Sequence, residues 1–571
     1  MAFNMSCSFL DVDDFIEACR DVYFATEDFG VSRFIIVNGG LYYLFEEKVA
    51  THKGDCKSTT ERDMFAKYQR LCGDNLETAL ANLPLFLPPS GEMVEALVLG
   101  VTYAIESSKF TLAWQLNSAA AAMCQTLGWH HAAAQNSFIG PDRLRPGAFW
   151  FCYMIDKGLA LRFGRTCELP DWDISTPRDF FLGKGEMGNN DNSSTSPKQD
   201  LNALRGIFNV WIRTGDILGQ TYEQLYSPAA LARSPQQRAE TARRLGDTAK
   251  QIWSEFEKLS ATVLHGDSMD ALGAQGHGDV EDWRRSTLRR VLLSGQVGHL
   301  ATLTLIYRAI PYAERKSSSP SSSLPSNSSL HAECVSAARG AFESHQACMA
   351  LASDDPLAQV GHLHWTVLYS PFTPLIVLFC NVIETASRLR QASGTMVEEE
   401  ITPDLAYLEA FAESLQPLLS LSPAIARMHG LSRLLHQLAV LYVEAKKAEN
   451  NAGVEASITT NVSMGREIEM QIDSNGIQRV GTDLDLYLSQ LGFLSDPNSA
   501  MGLEALATHT STAVEDAGIG GVNPTIDPSE ATILPRLEEW FSGNTYVMGL
   551  VEDDLFDFGW DPSAAGNPVG Q

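Results

Sequence analysis

Several things are scarce in this 571-residue chain, and each scarcity excludes a class. Basic residues are few: 42 Lys and Arg stand against 70 Asp and Glu, a formal net charge of −28. A bare electrostatic nucleic-acid binder needs the opposite balance, because its lysines and arginines must displace counterions from phosphates. Paired cysteines are missing. The ten cysteines are scattered with no CxxC, and nothing resembles a secreted disulfide framework. Cys124, Cys152 and Cys380 lie in apolar stretches and read as reduced core thiols. Long hydrophobic runs are absent too: near the middle the longest is Leu375–Cys380, far short of the roughly 18–20 residues of a membrane span. The N-terminus, MAFNMSCSFLDVDDF, has no basic region before its apolar residues and is not a signal peptide. The expectation is a soluble intracellular protein without a membrane partner.

Period-two alternation is also rare, and helical spacing fills its place. Leu112, Leu116, Ala119, Met123 and Leu127 step by three and four along one face, and Gly128 follows as a natural C-terminal stop. Phe149–Phe163 is apolar almost all round and is followed by Gly164, the pattern of a helix buried in a large core. Thr373 and Pro374 open another helix that runs through Leu389, and Leu431–Val443 is a further amphipathic stretch. Phe34–Val37 fits strand or helix equally. The fold class is therefore all-α: one large helical region in two parts, residues 1–182 and 201–450.

Three stretches break the pattern. Residues 183–200 are polar and Gly/Ser-rich, and residues 317–329 hold nine Ser and two Pro in thirteen positions; both read as surface insertions. Residues 451–571 read as a mostly disordered acidic tail. That tail carries 19 Asp and Glu against 3 Arg and no Lys, so more than half of the charge excess sits in the last fifth of the chain.

Motifs that resemble catalytic sites are weak. Gly183–Gly188 fits GxGxxG but runs into NNDNSSTS rather than a helix, so a solvated loop is the better reading. Asp553-Asp554-Leu555-Phe556-Asp557 fits the DDxxD spacing of diphosphate chemistry, yet only fourteen residues follow it, too few for a second metal motif. His130-His131 and His362-x-His364 lack HExxH spacing and read as hydrogen-bonded groups rather than metal ligands. No nucleophile elbow or P-loop is present. The expectation is a protein that is not an enzyme, with no catalytic, metal or cofactor-binding residues. Asp156 is more informative. A carboxylate inside the apolar helix Phe149–Phe163 must be paired, and Arg162 and Arg165 are the expected partners, across a turn at Gly164. These four residues form the expected structural motif.

In the segment 536–561, Glu552–Asp561 alternates the acids Asp553, Asp554 and Asp557 with Leu555, Phe556, Phe558 and Trp560. Acids keep such bulky side chains solvated until a hydrophobic groove accepts them. This is the composition of an acidic activation segment that recruits transcriptional coactivators; a terminal helix docked on the chain's own body is the competing reading.

Three stretches in order resemble the middle homology region of the fungal-specific transcription factor family. They are Cys124–His130, the aromatic helix with its Asp and Arg in Phe149–Arg165, and Tyr369–Pro374 with the apolar helix that follows. Arg33–Glu47 fits as well. Thr166 stands where the family usually has Pro, and Lys157 where it often has Arg. The resemblance implies an all-α regulatory domain, a role in transcription and a nuclear location, to which the weak basic cluster Arg284-Arg285 and Arg289-Arg290 adds little. Family members usually carry a six-cysteine zinc binuclear cluster that places a helix in the major groove. This sequence holds no such run, so no zinc cofactor is expected in it. DNA contact is then expected only indirectly, through a module outside this sequence or through a homo- or heterodimer with a zinc-cluster factor. A modulator or ligand sensor that pairs with such a factor is the alternative.

Overall fold

Helices form wherever the apolar spacing and the end signals agree. The computed structural model describes residues 7, 9–25, 28–51, 56–132, 144–178, 196–265, 278–310, 332–369, 373–387 and 394–454. Among them there is no strand. The α-helices in chain order are α1 (Val12–Tyr23), α2 (Val31–Thr51), α3 (Cys56–Ala81), α4 (Gly91–Glu106), α5 (Phe110–Thr126), α6 (Pro146–Phe163), α7 (Ser196–Thr221), α8 (Pro228–Leu231), α9 (Pro235–His265), α10 (Gly278–Arg308), α11 (Ala332–Leu351), α12 (Pro356–His362), α13 (Thr373–Ser387), α14 (Gly394–Leu415) and α15 (Pro423–Val454). Two π-helical turns, Tyr222–Tyr226 and Leu363–Leu368, continue α7 and α12.

The ends follow side-chain chemistry. Asp11 caps α1 by accepting from the backbone N–H of Asp13 and Asp14, and Ser90 caps α4 through Met93. Gly128, just past α5, takes φ +71°, and Gly164 closes α6 at φ 62°, ψ 43°. Both sit in the left-handed region where glycine pays no Cβ penalty.

Packing is largely between neighbours in sequence. α2 packs on α1, α3 and α4; α5 on α4 and α6; α7 on α6 and α9; α10 on α9 and α11; and α13 on α11, α14 and α15. One continuous hydrophobic cluster runs through all of these, from Cys7 to Val443. α6 lies in its middle, with Phe149, Trp150, Cys152, Tyr153 and Leu159 fully buried. The Leu363–Leu368 turn reaches both α4 and α10, tying the two halves of the chain together.

Several expectations change here. Phe34–Val37 is helical, inside α2. The buried face of α5 includes Leu116 and Met123 of the expected line and widens through Ala113, Asn117, Ala120 and Cys124, while Leu112, Ala119 and Leu127 pack half-buried against the core. α7 starts at Ser196, inside the stretch 183–200 read as an insertion, and Leu431–Val443 is the middle of the much longer α15. α13 begins at Thr373 itself and runs to Ser387, and positions 388–389 of the expected helix lie outside the described residues. The GxGxxG stretch, the Ser/Pro-rich segment 317–329 and residues 455–571, with the DDxxD spacing and the acidic-aromatic segment, lie outside the described residues. No disulfide joins the described cysteines, and no single described helix is long and apolar enough to cross a membrane.

Candidate functional site

The residues singled out in α6 meet at its C-terminal end. At Gly164 the chain reverses, and the N–H of Arg165 returns to the carbonyl of Ala160 (2.9 Å). The segment after the turn then runs back along α6. Asp156 receives it: its two carboxylate oxygens accept the backbone N–H groups of Glu168 (3.0 Å) and Leu169 (2.9 Å). Burial pushes the Asp156 carboxyl up to about 6, and the two N–H donors and Lys157 oppose that rise.

The partner expected for Asp156 was an arginine, and the structure corrects this. Arg162 is six residues on, about 120° round the helix from Asp156. It donates instead to the carbonyl of Leu368 and lies 4.0 Å from the centre of the Phe110 ring. Arg165, beyond the left-handed turn, stacks 4.5 Å over Trp114. Gly164 makes the turn that puts these groups on different sides.

Lys157, the next residue, carries the larger network. Its side chain is 0% exposed, and its Nζ reaches Asp171 Oδ2 at 2.7 Å and Cys167 Sγ at 3.1 Å. Burial pulls the ammonium pKa down, but Cys167 and Asp171 outweigh it, and the net shift is upward. Asp171 also accepts from Tyr153 Oη (2.6 Å) and from Arg178 (2.8 Å), and Arg178 reaches on to Asp216 of α7 (2.6 Å). Burial lifts the Tyr153 phenol far above its ordinary value and the Cys167 thiol to about 11, so both stay protonated at neutral pH. Two glycines make room for this. A Cβ on Gly219 of α7 would lie 2.8 Å from Lys157 Cδ. A Cβ on Gly158 would lie 1.9 Å from the hydroxyl of Tyr369, which donates to the carbonyl of Ile155. Chemically the arrangement is a charge lock. It fastens α6 to α7, to the 171–178 segment and to the turn that ends at Tyr369.

The helices that carry this lock fall in a stretch with known relatives. Residues 51–259 match the family described as "Fungal specific transcription factor domain". Over that stretch the chain is similar to a fungal-specific transcription factor domain. The matched span runs from the end of α2 to α9 and contains two of the resembling stretches, Cys124–His130 and Phe149–Arg165. Two proteins of Schizosaccharomyces pombe are similar, each titled as an uncharacterized transcriptional regulatory protein. One is 25% identical over 306 residues, covering 52% of this chain and 44% of that protein. The other is 34% identical over 91 residues, covering 16% and 14%. The chain thus spans less than half the length of the curated relatives it matches. No solved structure matches it.

Beyond the matched span lies a second buried network that the sequence did not announce. His345 Nδ1 meets His362 Nε2 at 3.0 Å, His345 Nε2 meets the Ser414 hydroxyl at 3.0 Å, and His362 Nδ1 meets Ser294. His364, expected beside His362, faces Ser422 instead (3.0 Å). Burial lowers the His362 pKa to about 4, and burial with the neighbouring His362 holds His345 well below its ordinary value, so the pair is held neutral. Asp171, Asp216 and His345 are the residues that reasoning from sequence missed. Their spacing from Lys157 and His362 carries no periodic signal.

Proposed function

We propose that this chain regulates transcription in the nucleus, with the helical body as its regulatory part and the acidic-aromatic segment Glu552–Asp561 as its contact to coactivators. The observation that carries the reading is the family match over residues 51–259, which covers the helices that hold the Lys157–Asp171 lock. The relatives titled as transcriptional regulatory proteins point the same way. The reading is of a binding and recruiting protein, not an enzyme. With a net charge of −28 the chain reaches DNA through a separate basic module, or through a dimer with a zinc-cluster factor.

The test compares two forms of the full chain tethered to a heterologous DNA-binding domain. One is intact, and in the other Phe556, Phe558 and Trp560 are replaced by Ala. Reporter output that falls several-fold in the triple variant, at equal protein level, supports the assignment of the segment. Equal output from both forms refutes it.

A further inference from the structure

The turn after α5 does more than end a helix. Gly128 reverses the chain, the N–H of Trp129 returns to Cys124 (2.9 Å), and the fully buried Trp129 ring anchors the loop. The next residues are sewn to the 171–176 segment. The carbonyl of His130 accepts from the N–H of Ser175 (2.8 Å) and Thr176 (3.2 Å), the Thr176 hydroxyl donates to the carbonyl of Trp129 (2.6 Å), and the N–H of Ala132 donates to the Ser175 hydroxyl (3.0 Å). This stitching brings Asp173, some forty residues away in sequence, against two adjacent imidazoles. His130 Nε2 lies 3.8 Å from Asp173 Oδ2, and the His130 and His131 ring centres are 3.9 Å apart. One ligand atom from each of the three residues falls within 4.8 Å of the others.

We propose that His130, His131 and Asp173 form a binding site for one divalent transition-metal ion, with zinc the best chemical match. Two imidazole nitrogens and one carboxylate oxygen are a borderline donor set suited to zinc. Around a tetrahedral ion with bonds of about 2.0–2.1 Å, ligand atoms stand about 3.3 Å apart. Closing the observed spacing needs ligand atoms to move together by up to about 1.5 Å. The burial is graded to allow it: His130 is buried, Asp173 is intermediate, and His131 is exposed and rotates into place while water fills the outer position. A second observation points the same way. His130 Nδ1 is buried without a hydrogen-bond partner. With Nε2 on a metal, the proton sits on Nδ1. The ion would fasten the Asp171–Asp173 turn, two residues from the carboxylate that holds Lys157.

The experiment is isothermal titration of the full chain with zinc chloride, paired with melting temperature with and without the ion. His130→Ala risks unfolding the loop, so the exposed His131→Ala and the isosteric Asp173→Asn carry the test, with circular dichroism to confirm an unchanged fold. One ion bound per chain, binding weakened about ten-fold or more in each variant, and a zinc-dependent rise in melting temperature that both variants lose, are the expected results. No saturable binding to the parent chain overturns the proposal. So does binding of equal strength in His131→Ala and Asp173→Asn.

Discussion

Replacing Asp171 by Ala strands Lys157, and the cost can be worked from the structure. Nζ stands 2.7 Å from the carboxylate and its side chain has no access to water. At an effective dielectric of about 20, that separation corresponds to about 6 kcal/mol of attraction. Part of this is offset by the desolvation of both groups, and the lysine has an escape. Losing its proton at pH 7 from a normal pKa near 10.4 costs about 5 kcal/mol, which caps the loss. A destabilisation of about 3–5 kcal/mol follows, the range for breaking a buried pair on one side. Lys157→Met removes the cation instead and leaves Asp171 with Arg178 and Tyr153, so it costs less. In the double variant no buried charge is stranded, and much of the loss is recovered. Urea unfolding of the four proteins closes a double-mutant cycle. A loss under about 1 kcal/mol in Asp171→Ala, or a coupling near zero, would refute the claim that this pair locks α6 to the 171–178 segment.

Three further outcomes are expected. Asp156→Ala leaves the N–H groups of Glu168 and Leu169 without acceptors and destabilises by about 2–4 kcal/mol in thermal or urea melts; an unchanged melting temperature contradicts the cap. Gly158→Ala drives a methyl into the hydroxyl of Tyr369 and costs about 1–3 kcal/mol from overpacking, a loss that Gly158→Ala combined with Tyr369→Phe partly restores. The pH dependence has two opposite contributions. His362, lowered to about 4, contributes stability that is present above about pH 6.5 and lost as pH falls through 4, about 3 kcal/mol in all. Asp156, raised to about 6, contributes stability that is present below about pH 4 and lost as pH rises through 6. His362→Gln should flatten the acid limb of a stability–pH curve, and a limb of unchanged slope would show that this histidine is not buried neutral.

The all-α class was legible because the local signals agreed with one another. Three-and-four spacing, the apolar run of α6, and glycines at 128 and 164 all pointed to helices and their ends. What failed was any inference that needed a partner from beyond a turn. Asp156 looked toward arginines close in sequence, yet a helix turns about 100° per residue, and Arg162 leaves on another side while the returning backbone arrives instead. Lys157 stood out only as a departure from a family habit, and nothing in its surroundings named Asp171. The face of α5 is wider than the line through its leucines because hydropathy passes over Asn117. That residue is buried, and its amide donates to the carbonyl of Cys152. The histidine pair at 130–131 gave no metal spacing because Asp173, which lies against it, comes from a separate segment. Phe34–Val37 fits two periods, and packing against α1, α3 and α4 settled it as helix.

The most direct test of the central claim is a reporter measurement on the full chain tethered beside a promoter by a heterologous DNA-binding domain. The account predicts output that differs several-fold from the DNA-binding domain alone, and that shifts again when Asp171→Ala loosens the lock. Output equal to the DNA-binding domain alone, from a chain present at normal level in the nucleus, would contradict it.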